Sequence, residues 1–128
     1  MPFTGKILIV DDEPHVRKFV GLVARSLGSP TLIEAADGQQ ALEVYASQQP
    51  DLVLLDVNMP VLDGLSALTA IRTRNPEAVV VMMTSLVNRQ TVEACLQAGA
   101  AGYLRKDTPK DEIQAELAAI IRESFADE

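Results

Sequence analysis

Four stretches of the 128-residue chain carry residues that could do chemistry together, and each sits where an apolar run stops. Asp11-Asp12 follows Lys6–Val10, Asp56 follows Leu52–Leu55, Thr84 follows Ala78–Met83, and Lys106 follows Gly102-Tyr103-Leu104 with one residue between. Short Val- and Leu-rich runs bounded by turn residues read as buried strands. Strands that run parallel end on one side of a sheet, so these residues would meet along one rim. Three carboxylates brought that close raise one another's pKa. A hard divalent cation, Mg²⁺ or Mn²⁺, resolves the conflict, because oxygen ligands of this kind suit it. Thr84 then offers a hydroxyl donor and Lys106 a long cationic arm, both suited to the oxygens of a phosphoryl group carried by Asp56. The chemistry indicated is phosphoryl transfer to a carboxylate nucleophile, with Asp56 attacking in line.

Each residue also has a plain structural explanation. Asp56 is then a turn or cap aspartate, and Asp11-Asp12 a helix N-terminal acid cluster favoured by the macrodipole. Thr84 would end a strand, and Lys106 would be a solvated lysine. Singly these explanations win. Jointly they must account for fitting residue types at four separate strand ends, and they do not.

The elements that would position these residues follow in order. Lys6–Val10 is a strand, and residues 14–27 form an amphipathic helix with Val16, Phe19, Val20, Val23 and Leu27 inward. Thr31–Ala35 is a strand; Ala41, Leu42, Tyr45 and Ala46 mark a second helix ended by Pro50. Leu52–Asp56 is the central strand. Asp63-Gly64 opens a third helix with Leu65, Leu68 and Ile71 inward. Residues 78–83 form another strand, and residues 89–98 a helix with Val92, Cys95 and Leu96 as core positions. Gly102–Leu104 is the last strand, and a helix from about Lys110 to Glu123 buries Ile113, Leu117, Ile120 and Ile121. Five strand–helix repeats with right-handed crossovers give an α/β fold in one domain, residues 1–128. It is a five-stranded parallel sheet of order 2-1-3-4-5 with five helices on both faces, the flavodoxin-like arrangement. The first and third strands are then neighbours at the switch point, which is where Asp11, Asp12 and Asp56 fall.

Composition narrows the partners. A net charge of −7 disfavours direct nucleic-acid binding, since phosphate contacts need a basic face. No apolar run approaches the ~20 residues that cross a bilayer, so no membrane contact is expected. The first residues lack a signal-peptide layout and run straight into a strand, which makes a cytoplasmic location the simplest expectation. The single cysteine, Cys95, excludes an internal disulfide and reads as a small buried apolar residue. His15, alone at the start of the first helix, is a surface residue with no assigned role.

The set Asp11-Asp12, Asp56 in LLDVNMP, Gly64 in VLDG, Thr84-Ser85, and Tyr103 three residues before Lys106 resembles the receiver domain of two-component response regulators over essentially the whole chain. The resemblance implies a signalling switch rather than an enzyme, in which Asp56 accepts phosphate from a phosphohistidine on a sensor histidine kinase or phosphotransfer protein. It implies Mg²⁺ held by Asp12, Asp56 and the backbone carbonyl of Asn58, with Asp11 acting through water. Thr84 and Lys106 would contact the phosphoryl group. Tyr103 on its own reads as a half-buried edge-strand aromatic; the resemblance makes it the switch residue that fills space vacated by Thr84. That repacks the face made by the fourth helix, last strand and last helix, where an output protein, or a second phosphorylated copy in a homodimer, would bind.

One departure stands out. Where the family often has Lys-Pro with a cis bond, Asp107 follows Lys106, and a non-proline cis bond costs roughly 2.5–4 kcal/mol. A trans bond is expected. Lys-Asp resembles the branch whose receivers are often fused to helix-turn-helix domains. Asn58 and Leu86, each two residues past a site residue, are expected to tune acyl-phosphate lifetime. Three other readings fit less well. A haloacid-dehalogenase-like hydrolase would carry a second acid where Asn58 stands. A nucleotide or flavin module would want a glycine-rich loop where Asp11-Asp12-Glu13 stands. A pseudo-receiver would lack part of the acid and lysine set.

Overall fold

The computed structural model describes residues 3–59, 61–85 and 88–125. Five strands alternate with five helices: β1 (Lys6–Val10), α1 (Pro14–Arg25), β2 (Thr31–Ala35), α2 (Gly38–Gln48), β3 (Leu52–Asp56), α3 (Gly64–Arg74), β4 (Val80–Thr84), α4 (Arg89–Gln97), β5 (Gly102–Arg105) and α5 (Lys110–Ser124). The strands form a single parallel sheet of order β2-β1-β3-β4-β5, as the repeat pattern implied.

Strand alternation divides the core in two. Leu8, Val10, Val53, Leu55, Val80 and Met82 pack on Ala41 and Tyr45 of α2, Ala67, Leu68 and Ile71 of α3, and Cys95 of α4. The residues between them, Ile7, Ile9, Leu52, Leu54, Val81 and Met83, face Val20 and Val23 of α1 and Ile113 and Leu117 of α5. β1, β3 and β4 are therefore buried on both faces, which is why they read as continuous apolar runs rather than alternating ones. The side-chain period of two fixes their register, since a one-residue slip would exchange the two layers.

Local chemistry sets the helix starts. Asp37, Asp63 and Asn88 each cap a helix by accepting from the backbone amide three residues on, of Gln40, Ser66 and Thr91. α1 starts with Pro14 at its first position instead. Gly28 and Gly99 take left-handed backbones after α1 and α4, with φ of 150° and 102°.

Several expectations are corrected. α1 stops at Arg25, because Ser26 turns its amide onto the Ala24 and Val23 carbonyls; Leu27 lies beyond it, half-buried. β4 is Val80–Thr84 rather than 78–83, since Ala78 spends its amide on the Asn75 carbonyl in the preceding turn. α4 ends at Gln97. Leu96 is not a core residue: it is 49% exposed, while Cys95 beside it is fully buried. α4 buries only the side of its surface that carries Cys95.

Candidate functional site

β1 delivers the first acids. The Asp11 amide extends the ladder by donating to the Ala35 carbonyl at 3.1 Å, which turns its carboxylate inward. That carboxylate is fully buried, and its Oδ1 accepts from the Glu13 amide at 2.9 Å. Asp12, the next residue, faces solvent. β3 delivers Asp56 as its last residue, 3% exposed, with the Asn58 amide donating to Oδ1 at 3.4 Å. α3 begins hard against this strand end: the Gly64 amide donates to the Val57 carbonyl at 2.9 Å, and a Cβ on Gly64 would collide with the Asp56 carbonyl oxygen. Only glycine permits that approach.

β4 and β5 deliver the remainder. Thr84 ends β4 and is buried, and the Lys106 amide donates to its carbonyl at 2.7 Å. This bond sends the Lys106 side chain across the rim toward β1 and β3. Its Nζ lies 2.5 Å from Asp11 Oδ2 and 2.9 Å from Asp56 Oδ1. The Lys106–Asp107 bond is trans.

Burial pushes the Asp56 carboxyl above its ordinary value; Lys106 opposes that shift and the negative charge of Asp11 adds to it. Burial alone would lower the Lys106 ammonium, but its bonds to Asp11 and Asp56 outweigh it and leave the lysine above its usual range. The site thus holds two buried carboxylates against one cation, with Asp12 at its mouth.

Among the described residues, Asp11, Asp12 and Asp56 each offer a carboxylate oxygen lying within 4.8 Å of the others. Three hard oxygen donors at that spacing, one of them open to solvent, fit a divalent cation that retains waters. Tyr103 stands apart from this cluster, on β5. It is half-buried with its hydroxyl shielded from solvent. Burial raises its phenol, and the nearby Thr84 side chain opposes that shift in part.

All five strand-end residues read from the sequence therefore share one rim. Asn58 is exposed, and its amide is the group that meets the Asp56 carboxylate. Leu86 lies outside the described residues. His15 is exposed on α1, 3.6 Å from Glu13. Two further residues belong to this rim that sequence reading does not single out, Arg17 and Glu34. Arg17 of α1 donates through Nη1 to the Asp11 carbonyl at 2.7 Å and through Nε to Glu34 of β2 at 2.8 Å. An arginine beside the apolar stripe of α1, less than two turns past the acid pair, was the available signal.

The response regulator receiver domain family matches residues 7–118. The chain belongs to that family. Among the relatives of this receiver domain, the chemotaxis protein CheY of Bacillus subtilis is 33% identical over 108 residues, 84% of this chain and 90% of that protein. The nitrate/nitrite response regulator protein NarL of Escherichia coli is 36% identical over 111 residues, 85% of this chain but 51% of its own length. The chain spans about half, or less, of the length of most of the curated relatives it matches. A solved complex of CheX, CheY, BeF3 and Mg²⁺ from Borrelia burgdorferi superposes with a TM-score of 0.84 at 30% identity, covering 94% of this receiver and 88% of that chain. Receiver domains are signalling switches of two-component systems. No helix among the described residues of this one is long and apolar enough to cross a membrane.

Proposed function

We propose that residues 1–128 act as one phosphoryl-accepting switch. An Asp56 oxygen attacks the phosphorus of a phosphohistidine on a sensor histidine kinase or phosphotransfer protein. The new O–P bond forms as the N–P bond breaks, and the imidazole leaves. One observation carries this reading: the Lys106 ammonium bridges two buried strand-end carboxylates, Asp11 and Asp56, at the mouth of which Asp12 is exposed. Because Lys106 already contacts the Asp56 carboxylate, it is within reach of a phosphoryl group that Asp56 would carry.

Asp12, Asp56 and the Asn58 carbonyl would hold Mg²⁺ or Mn²⁺, with Asp11 reaching it through water. When bound, the cation neutralises charge that builds on the equatorial oxygens. The Borrelia CheY complex, with BeF3 and Mg²⁺, supports that assignment by likeness. Lys106 meets one phosphoryl oxygen and the Thr84 hydroxyl another. Small phosphodonors would serve in place of a kinase, and water would later hydrolyse the acyl phosphate, with Asn58 and Leu86 setting the rate.

The switch is a shift between two packings of Thr84 and Tyr103. The Tyr103 hydroxyl is shielded from solvent and has no hydrogen-bond partner among the described residues, so Tyr103 is free to follow a change in its surroundings. Drawing Thr84 toward a phosphoryl group would be such a change and would repack the face of α4, β5 and α5. The exposed Leu96 on α4 is available there to an output protein or a second copy.

Incubation with acetyl phosphate and Mg²⁺, followed by intact mass, tests this. Wild type should gain one phosphoryl group and Asp56→Asn none. Equal uptake by both would refute the assignment.

A further inference from the structure

We infer that Arg17 and Glu34 form a positioning pair for the metal-binding acids, a role that rests on the reading of the site given above. Arg17 is the one described residue whose side chain ties α1 to both the carbonyl of Asp11 and the edge strand β2. Its side chain is only 17% exposed, whereas Glu34, its partner, is 56% exposed.

The geometry gives the pair a job. Asp11 and Asp12 sit on a turn between the end of β1 and Pro14, and that turn must hold two negative charges beside a third, Asp56. Like charges at this spacing repel, and a turn is the element most free to yield. Two bonds restrain it. The Asp11 carboxylate accepts from the Glu13 amide, which fixes the side chain. The Asp11 carbonyl accepts from Arg17, which fixes the backbone and brings a permanent positive charge beside the acid cluster. Glu34 occupies Nε and so leaves Nη1 aimed at that carbonyl, using the fixed fork of the guanidinium. Lys106 cannot substitute, because its ammonium already bridges the Asp11 and Asp56 carboxylates from the other side.

Arg17 touches neither the cation nor the phosphoryl group, so its effect should appear in how tightly the acids bind a metal. Outer-shell partners of ligands alter metal affinity by about 10–100-fold. Calorimetric titration of metal-free protein with Mg²⁺ would compare wild type, Arg17→Met, Arg17→Lys and Glu34→Gln. Thermal unfolding in chelator would run in parallel. Arg17→Met should bind Mg²⁺ about tenfold more weakly, and Glu34→Gln about threefold. Arg17→Lys should recover only part of the loss, since a point charge lacks the fork. With acetyl phosphate, saturating Mg²⁺ should return Arg17→Met to the wild-type rate, which separates a binding defect from a chemical one. Glu34 is exposed, so its variant keeps the test available if Arg17→Met does not fold. Unchanged Mg²⁺ affinity in Glu34→Gln and Arg17→Met, with or without a fall in unfolding temperature, would overturn the inference and leave the site reading intact. Wild type that binds no Mg²⁺ would overturn both.

Discussion

The two ends of the sheet use the same residue types to opposite effect. At the start of β1 and β3, the Lys6 amide donates to Asp51 Oδ2 at 2.8 Å and the Lys6 ammonium reaches the Gln48 carbonyl at 3.2 Å. Both residues face solvent, and the contacts merely tie off strand ends. At the other end of the same two strands, Asp11 and Asp56 are buried and share one lysine. Exposed charges of this kind contribute roughly 0–1 kcal/mol, whereas the buried set must be balanced internally. Burial is therefore what separates a structural cap from a reactive site here. A charge that is costly to keep in the fold is one that an arriving cation can relieve.

That contrast can be broken most sharply at the two lysines. Lys106→Met strands two buried carboxylates and should destabilise the metal-free protein by about 3–5 kcal/mol. Lys6→Met should stay within about 0.5 kcal/mol. Denaturant unfolding of both, with and without Mg²⁺, measures the gap, and Mg²⁺ should restore part of the Lys106→Met loss. Comparable losses in the two variants would erase the distinction between the rims.

The acids sharpen it next. Burial holds Asp56 above the ordinary carboxylate range, so keeping it ionised at neutral pH costs stability. Asp56→Asn should raise the unfolding temperature of the metal-free protein by about 3–6 °C, the shift that ~1 kcal/mol brings at this size. Asp51→Asn, at the exposed rim, should not raise it. A scanning calorimeter reads both.

The smallest effect concerns Tyr103. Its phenol is raised above its ordinary value by burial, so the folded state holds that proton more tightly than the unfolded chain. Its contribution to stability is complete below about pH 10 and is lost as pH rises through the folded value. Relative to Tyr103→Phe, wild type should therefore lose stability more steeply above about pH 10, as followed by unfolding temperature. Parallel curves for the two proteins would mean the hydroxyl is not held in a shielded position.

The fold was legible because β1, β3 and β4 are buried on both faces, so their sequences are nearly uninterrupted Ile, Leu, Val and Met. The site was legible because parallel strands put their last residues on one rim, and strand ends can be read by eye. Helix ends were harder. The apolar period of α1 continues to Leu27, but the backbone turns at Ser26, where local hydrogen bonds decide. Leu96 fits the apolar period of α4 and is still exposed, because a helix of nine residues covers only a small part of the sheet. Nothing in the pair Asp11-Asp12 says which is buried; the ladder bond to Ala35 settles it. Arg17 and Glu34 stayed hidden for a related reason. Their pairing crosses from α1 to β2, and only the folded register brings them together.

Whether one rim of the sheet does the chemistry is tested most directly by amide-resolved NMR of the Mg²⁺-saturated protein before and after acetyl phosphate is added. Amide shifts should concentrate at Asp11, Asp12, Asp56, Thr84, Tyr103 and Lys106, leave Lys6 and Asp51 unmoved, and vanish in Asp56→Asn. Shifts of equal size at both rims, or shifts that persist in Asp56→Asn, would contradict that assignment.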